Sequence, residues 1–137
     1  MIHSVKTTYN GGMAFSSDIN AHKVKMDTIP DEGGADTGPS PKRLMLASLA
    51  GCTGMDVVTI LHKMKVEFSD LSIDVRATLT KEHPQIYDHV KISYTIKMQE
   101  TDKPKMEKAV TLSQEKYCGV SAMFRAFSKL ETLIIYL

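Results

Sequence analysis

From Leu44 to Leu61 the chain runs for 18 residues with one charge, and this segment constrains the fold more than any other. Its length approaches that of a short membrane span. Ser48, Thr53, Asp56 and Thr59 interrupt it, however, and a carboxylate at mid-span is costly in hydrocarbon. The better reading is a buried core helix. Ser40 is a good N-cap and Pro41 suits the first turn, so the helix is expected over residues 40–64. That is roughly 36 Å at ~1.5 Å per residue. It is apolar nearly all round and should sit at the centre of the fold. Gly51 and Gly54 lie mid-helix, where each costs about 1 kcal/mol relative to Ala. The simplest reason is close approach of another helix. One sheet covers only one side of such a helix, so a homodimer with helices at its interface is expected.

The flanking segments read as an α+β domain filling residues 1–137. Residues 1–30 form N-terminal strands, near 5–9, 13–17 and 21–26, with Asn10-Gly11-Gly12 as a turn. Residues 27–40 carry Pro30, Gly33, Gly34, Gly38 and Pro39, are made acidic by Asp31, Glu32 and Asp36, and read as a mobile connector or a lid. Residues 66–99 alternate apolar and polar side chains in two runs, the pattern of a long antiparallel hairpin. Residues 103–137 hold helical spacing from Met106 to Tyr117, a break at Cys118-Gly119, a second helical face through Phe127 and a last apolar strand.

Seventeen basic and sixteen acidic residues leave a net charge of +1, which gives no footprint for a polyanion, so no nucleic-acid partner is expected. The N-terminus lacks the layout of a signal peptide, and a cytoplasmic, non-membrane protein follows as the expectation. In a reducing compartment a structural disulfide is disfavoured. The two cysteines then mean inert thiols, a metal site or redox chemistry. Cys52 and Cys118 lie 66 positions apart with no CxxC and no HxxxH, which matches no standard zinc pattern. No metal is expected.

Cys52 is mid-helix, where the dipole helps little, and a thiol of ordinary pKa is only about 3% ionised at neutral pH. Cys118 sits where one helical segment ends and another starts, so free N–H groups can face its sulfur, on a joint flexible enough to swing. Asp56, one turn beyond Cys52, suits a structural hydrogen-bond role, since as a bare charge it raises a neighbouring thiol pKa. From spacing alone, two small buried hydrophobes are the leading explanation of the cysteines.

The segment Pro39-Ser40-Pro41-Lys42-Arg43-Leu44-Met45-Leu46-Ala47-Ser48-Leu49-Ala50-Gly51-Cys52-Thr53 resembles the central helix of the OsmC/Ohr family, closest to its small OsmC-like redox proteins. A second stretch, Glu115-Lys116-Tyr117-Cys118-Gly119-Val120-Ser121, is similar to that subfamily's second cysteine motif. The resemblance implies an intertwined, swapped homodimer, with antiparallel sheets wrapped around paired central helices. It implies reduction of organic hydroperoxides in an oxidative stress response. Cys52 is the implied peroxidatic residue and Cys118 the resolving one, a dithiol resets the pair, and no bound cofactor takes part. One departure stands out. Peroxidase members use an upstream Arg, positioned by a Glu nine or ten residues before the first cysteine. Here those positions hold Arg43 and Lys42, and no Arg precedes Arg43. Both become candidate thiolate or anion contacts, although Arg43 is roughly 13 Å from Cys52 along the helix. The alternative function is a thiol protein without peroxidase activity, a redox sensor or a binder of small hydrophobic or acidic ligands.

Overall fold

The computed structural model describes all 137 residues, which divide into two compact units, Met1–Met45 and Leu46–Leu137. The first holds an antiparallel sheet of β1 (Lys6–Tyr9), β2 (Phe15–Ile19) and β3 (His22–Met26), in that order. Gly11 and Gly12 both take positive φ in the first turn, as their lack of a Cβ allows. The second turn has two residues, Asn20 and Ala21, with φ of 46° and 63°, the left-handed pair that a tight hairpin requires.

The loop after β3 departs from the mobile connector expected. The Asp27 side chain, 3% exposed, gathers it from one end. Its carboxylate accepts from the amides of Thr28 at 2.8 Å, Thr37 at 3.1 Å and Ala35 at 3.4 Å, and from the Thr37 hydroxyl at 2.5 Å. These donors, the Thr37 hydroxyl foremost, hold the Asp27 pKa down to about 2. Gly34 lies so close to the Thr28 carbonyl that an added Cβ would meet its oxygen at 2.0 Å. The acidic, glycine-rich composition that suggested mobility serves a carboxylate-centred turn.

Helix α1, Pro41–Lys63, starts in the last residues of the first unit and continues into the second. Its C-terminus closes with Lys65 at φ 56°. The amide of Lys65 donates to His62 O, and that of Val66 to Leu61 O, both at 3.0 Å. This is a Schellman motif with a lysine in the position that favours glycine. Only Leu49, Thr53, Val57 and Leu61 of α1 are buried, one stripe with a four-residue repeat. By length and composition α1 could cross a membrane, but this stripe packs in a core built with a sheet. Leu46 and Ile60 pack partly buried against the same core, whereas Met45 and Met55, 44% and 74% exposed, are left uncovered by this chain.

That sheet has β5 (Tyr87–Met98) at its centre, flanked by β4 (Phe68–Leu79) and β6 (Lys129–Tyr136). β4 pairs with β5 antiparallel, with Val75 opposite Ile92. β6 pairs with β5 in parallel, with Ile92 beside Thr132, so the sheet is not wholly antiparallel as expected. The helical crossover between β5 and β6 is long enough to return the chain to the same end, which parallel pairing requires. That crossover comprises α2 (Lys103–Leu112), a π-helical turn (Ser113–Tyr117) and α3 (Gly119–Arg125). The core joins Leu49, Val57 and Leu61 of α1 to Val90, Ile92, Tyr94 and Ile96 of β5, with Met106, Ala109 and Phe124 from the crossover. The neighbour that Gly54 admits is not a helix. Ile73 Cδ1 of β4 would lie 2.9 Å from a Cβ there, and Gly51 meets nothing of this chain within 4 Å.

Candidate active site

Cys118 ends the π-helical turn and is the N-cap of α3. A π turn spends five residues where an α turn spends about four, and here it lets Ser113 O accept from the Cys118 amide at 2.7 Å. The chain then becomes extended at Cys118, with φ −74° and ψ 99°, and a new helix begins with free amides. Two of these amides serve two sulfurs. The Ser121 N–H donates to Cys118 Sγ at 3.3 Å, as it would to a capping serine. The Val120 N–H lies near enough to the Cys52 sulfur to favour its thiolate. Cys52 and Cys118 are both free thiols, and the Cys118 side chain lies close enough to Cys52 to act on its ionisation. Cys118 is 3% exposed and Cys52 half-buried, so Cys118 is held more firmly than a swinging joint would be. The Ser121 hydroxyl, fully buried beside it, makes no hydrogen bond.

Burial pushes the Cys52 thiol above its ordinary pKa, and the neighbouring Cys118 and Asp56 push the same way. The Val120 amide alone opposes them. Asp56 thus acts on Cys52 in the direction expected of a nearby carboxylate. Its hydrogen bond is structural, an acceptor for Ser113 Oγ at 3.0 Å.

Behind the cysteines lies a buried polar network that sequence reasoning did not assemble. Thr53 Oγ1, next in the chain to Cys52, is 2.6 Å from the Tyr94 hydroxyl and 2.8 Å from Ser113 Oγ. Gln114 Nε2 is 3.1 Å from both Thr53 Oγ1 and the Tyr94 hydroxyl. These three distances subtend about 50° at the nitrogen, too narrow for two separate N–H bonds, so one N–H bifurcates. A carboxylate only accepts, so the Ser113 proton goes to Asp56, the Thr53 proton to Ser113, and the Tyr94 proton to Thr53. The donors form a one-way file from Tyr94 to Asp56. Burial raises the Tyr94 pKa, which keeps its proton in place. The available signal was Ser113, a polar residue in helical register with Met106, Ala109 and Val110.

Lys42 and Arg43 are exposed on the first turn of α1. Gly51 and Gly54 line an apolar groove of about 590 Å³ with Met55, Val58, Leu71 and Ile73.

The family model for OsmC-like protein matches residues 33–132. The chain belongs to the OsmC-like family. Protein YhfA of Escherichia coli K12 is 28% identical over 113 residues, which cover 82% of this chain and 81% of YhfA. A hypothetical protein of Aquifex aeolicus superposes at a TM-score of 0.86 with 27% identity, over 100% of this chain and 97% of its own. An organic hydroperoxide resistance protein of Elizabethkingia anophelis shares the fold at a TM-score of 0.70 and 15% identity, over 100% and 99% of the two chains. The OsmC-like match spans both the Cys52 and Cys118 segments.

Proposed function

We propose that this OsmC-like protein is a cysteine peroxidase for organic hydroperoxides, with Cys52 peroxidatic and Cys118 resolving. The supporting observation is that two free thiols from elements far apart in sequence lie close enough for Cys118 to act on the Cys52 thiol. In the first step the Cys52 thiolate attacks the distal peroxide oxygen. An S–O bond forms, the O–O bond breaks and the alkoxide takes up a proton as alcohol. The sulfur, now a sulfenic acid, has lost two electrons to the peroxide. Cys118 Sγ then attacks Cys52 Sγ, the S–O bond breaks, and the Cys118 proton leaves with hydroxide as water. A dithiol reduces the disulfide and is itself oxidised.

The uncovered face of α1 favours a working unit that is a homodimer, intertwined in the manner of the family, acting in the cytoplasm. A raised Cys52 pKa means that this chain alone leaves the thiolate a minority species at neutral pH. A cation is the missing part, and Arg43, with Lys42 beside it, is the candidate contributed across the dimer.

The test treats reduced protein with tert-butyl hydroperoxide and follows peroxide loss and intact mass. Wild type should lose two hydrogens as a Cys52–Cys118 disulfide. Cys52→Ser should abolish turnover, and Cys118→Ser should stop at a dimedone-trappable sulfenic acid. Thiols left reduced under excess peroxide refute the reading. The same raised pKa favours a second reading, a thiol sensor without peroxidase activity. Peroxide loss no faster than with free cysteine, joined to ready disulfide formation with oxidised glutathione, would select it.

A further inference from the structure

The chain between Gln114 and Arg125 is a closed segment with Cys118 inside it. Two bonds hold it near the sulfur: the Cys118 amide to Ser113 O at 2.7 Å, and the Ser121 amide to Cys118 Sγ at 3.3 Å. A third closes its base. Arg125, the last residue of α3, donates through Nη1 to the Gln114 main-chain oxygen at 2.6 Å. Through Nη2 it donates to Gln114 Oε1 at 2.8 Å. The break at Cys118 leaves carbonyls of the preceding turn without helical N–H partners, and the guanidinium takes one of them. By occupying Oε1 it also settles which way the amide faces, so that Nε2 points to Thr53 and Tyr94. Gln114 is 7% exposed, whereas Arg125 reaches it from the surface. The planar fork matches two acceptors on one residue, which a lysine ammonium cannot do in a fixed geometry.

We infer that Arg125 is a positioning residue for the Cys118 thiol, closing segment 114–125 so that Cys118 Sγ stays within bonding reach of Cys52. The inference rests on the redox reading above, because the step it governs is disulfide closure. In that step the Sγ–Sγ bond forms, the S–O bond of the sulfenic acid breaks and the Cys118 proton departs in water. The oxidant is the organic hydroperoxide consumed earlier. Arg125 touches neither sulfur. It acts through Gln114, and its loss should spare the first oxidation.

The test compares full-length wild type, Arg125→Lys and Arg125→Met, each checked for fold by circular dichroism. Disulfide closure after tert-butyl hydroperoxide is timed by quenched mass spectrometry. Alkylation of reduced Cys52 and Cys118 by iodoacetamide is read peptide by peptide. Arg125→Met should slow closure and speed Cys118 alkylation by about tenfold or more, the range for losing a charge-assisted hydrogen bond. Arg125→Lys should fall between. Single-turnover loss of the hydroperoxide should stay within about twofold, because Arg125 touches neither sulfur, and dimedone trapping of the longer-lived Cys52 sulfenic acid should rise. A folded Arg125→Met protein matching wild type in both Cys118 readouts overturns the inference. If Arg125→Met does not fold, Arg125→Lys decides, and parity with wild type overturns it. If wild type forms no disulfide yet Arg125→Met still exposes Cys118, the redox reading falls and the positioning role stands.

Discussion

Replacing Thr53 with Val should cost more stability than replacing Tyr94 with Phe, and the proton order in the buried network says by how much. Thr53→Val keeps the shape but removes the acceptor of the Tyr94 hydroxyl. Tyr94 is wholly buried, and its remaining partner, Gln114 Nε2, is a donor. An orphaned O–H costs about 1–3 kcal/mol, and the other lost bonds add about 0.5–1.5 kcal/mol each. A buried methyl gained in exchange returns about 0.8 kcal/mol. The net is about 3 kcal/mol, a large share of the roughly 5–15 kcal/mol that a domain has. Tyr94→Phe removes the donor itself. Thr53 keeps Ser113 as acceptor and Gln114 as donor, so no hydrogen is stranded and the cost is about 1 kcal/mol. The double variant lacks the stranded hydroxyl and should be no less stable than Thr53→Val alone, so the cycle is strongly non-additive. Urea midpoints at one fixed protein concentration, with unchanged m-values, measure all three. Additive costs, or a Tyr94→Phe penalty equal to that of Thr53→Val, would refute the one-way order.

Three further outcomes follow from individual sites. Because burial and its neighbours raise the Cys52 pKa, its iodoacetamide rate should climb with pH to a midpoint above the ordinary ~8.5 of a free thiol. Asp56→Asn should move that midpoint down, and no movement would remove Asp56 as a cause. Lys65→Gly should raise stability by about 0.5–1 kcal/mol, since the left-handed C-cap is strained for lysine and free for glycine. A lower urea midpoint in this variant would contradict the Schellman assignment. The folded Asp27 pKa of about 2 lies below the unfolded ~3.9, so its contribution to loop 27–37 is complete above that value and fades as pH falls through 2. Hydrogen exchange at the Thr37 amide should keep its protection factor down to about pH 4 and lose it progressively between about pH 4 and 2; a collapse of protection already complete at about pH 4 would contradict the depressed value.

Much of this protein is legible before any coordinates. The apolar run 44–61 requires a core helix, because a segment so poor in charge has to be covered. The alternation in 71–80 and 90–99 marks a hairpin, since a period of two puts one face inward. The motif resemblance around Cys52 and Cys118 marks the family through residues alone. Local pattern is blind to what packing decides. Asp27 turns an acidic, glycine-rich loop into an anchored one, which depends on amides at positions 35 and 37 arriving in reach of one carboxylate. The parallel pairing of β6 depends on where a helical crossover delivers it. The meeting of Cys52, Cys118 and the amides of Val120 and Ser121 depends on a π turn that no composition announces. Hydrogen-bond direction and thiol pKa belong to that same level. They are set by distances of a few ångströms between residues tens of positions apart, and such distances exist only once the core has closed.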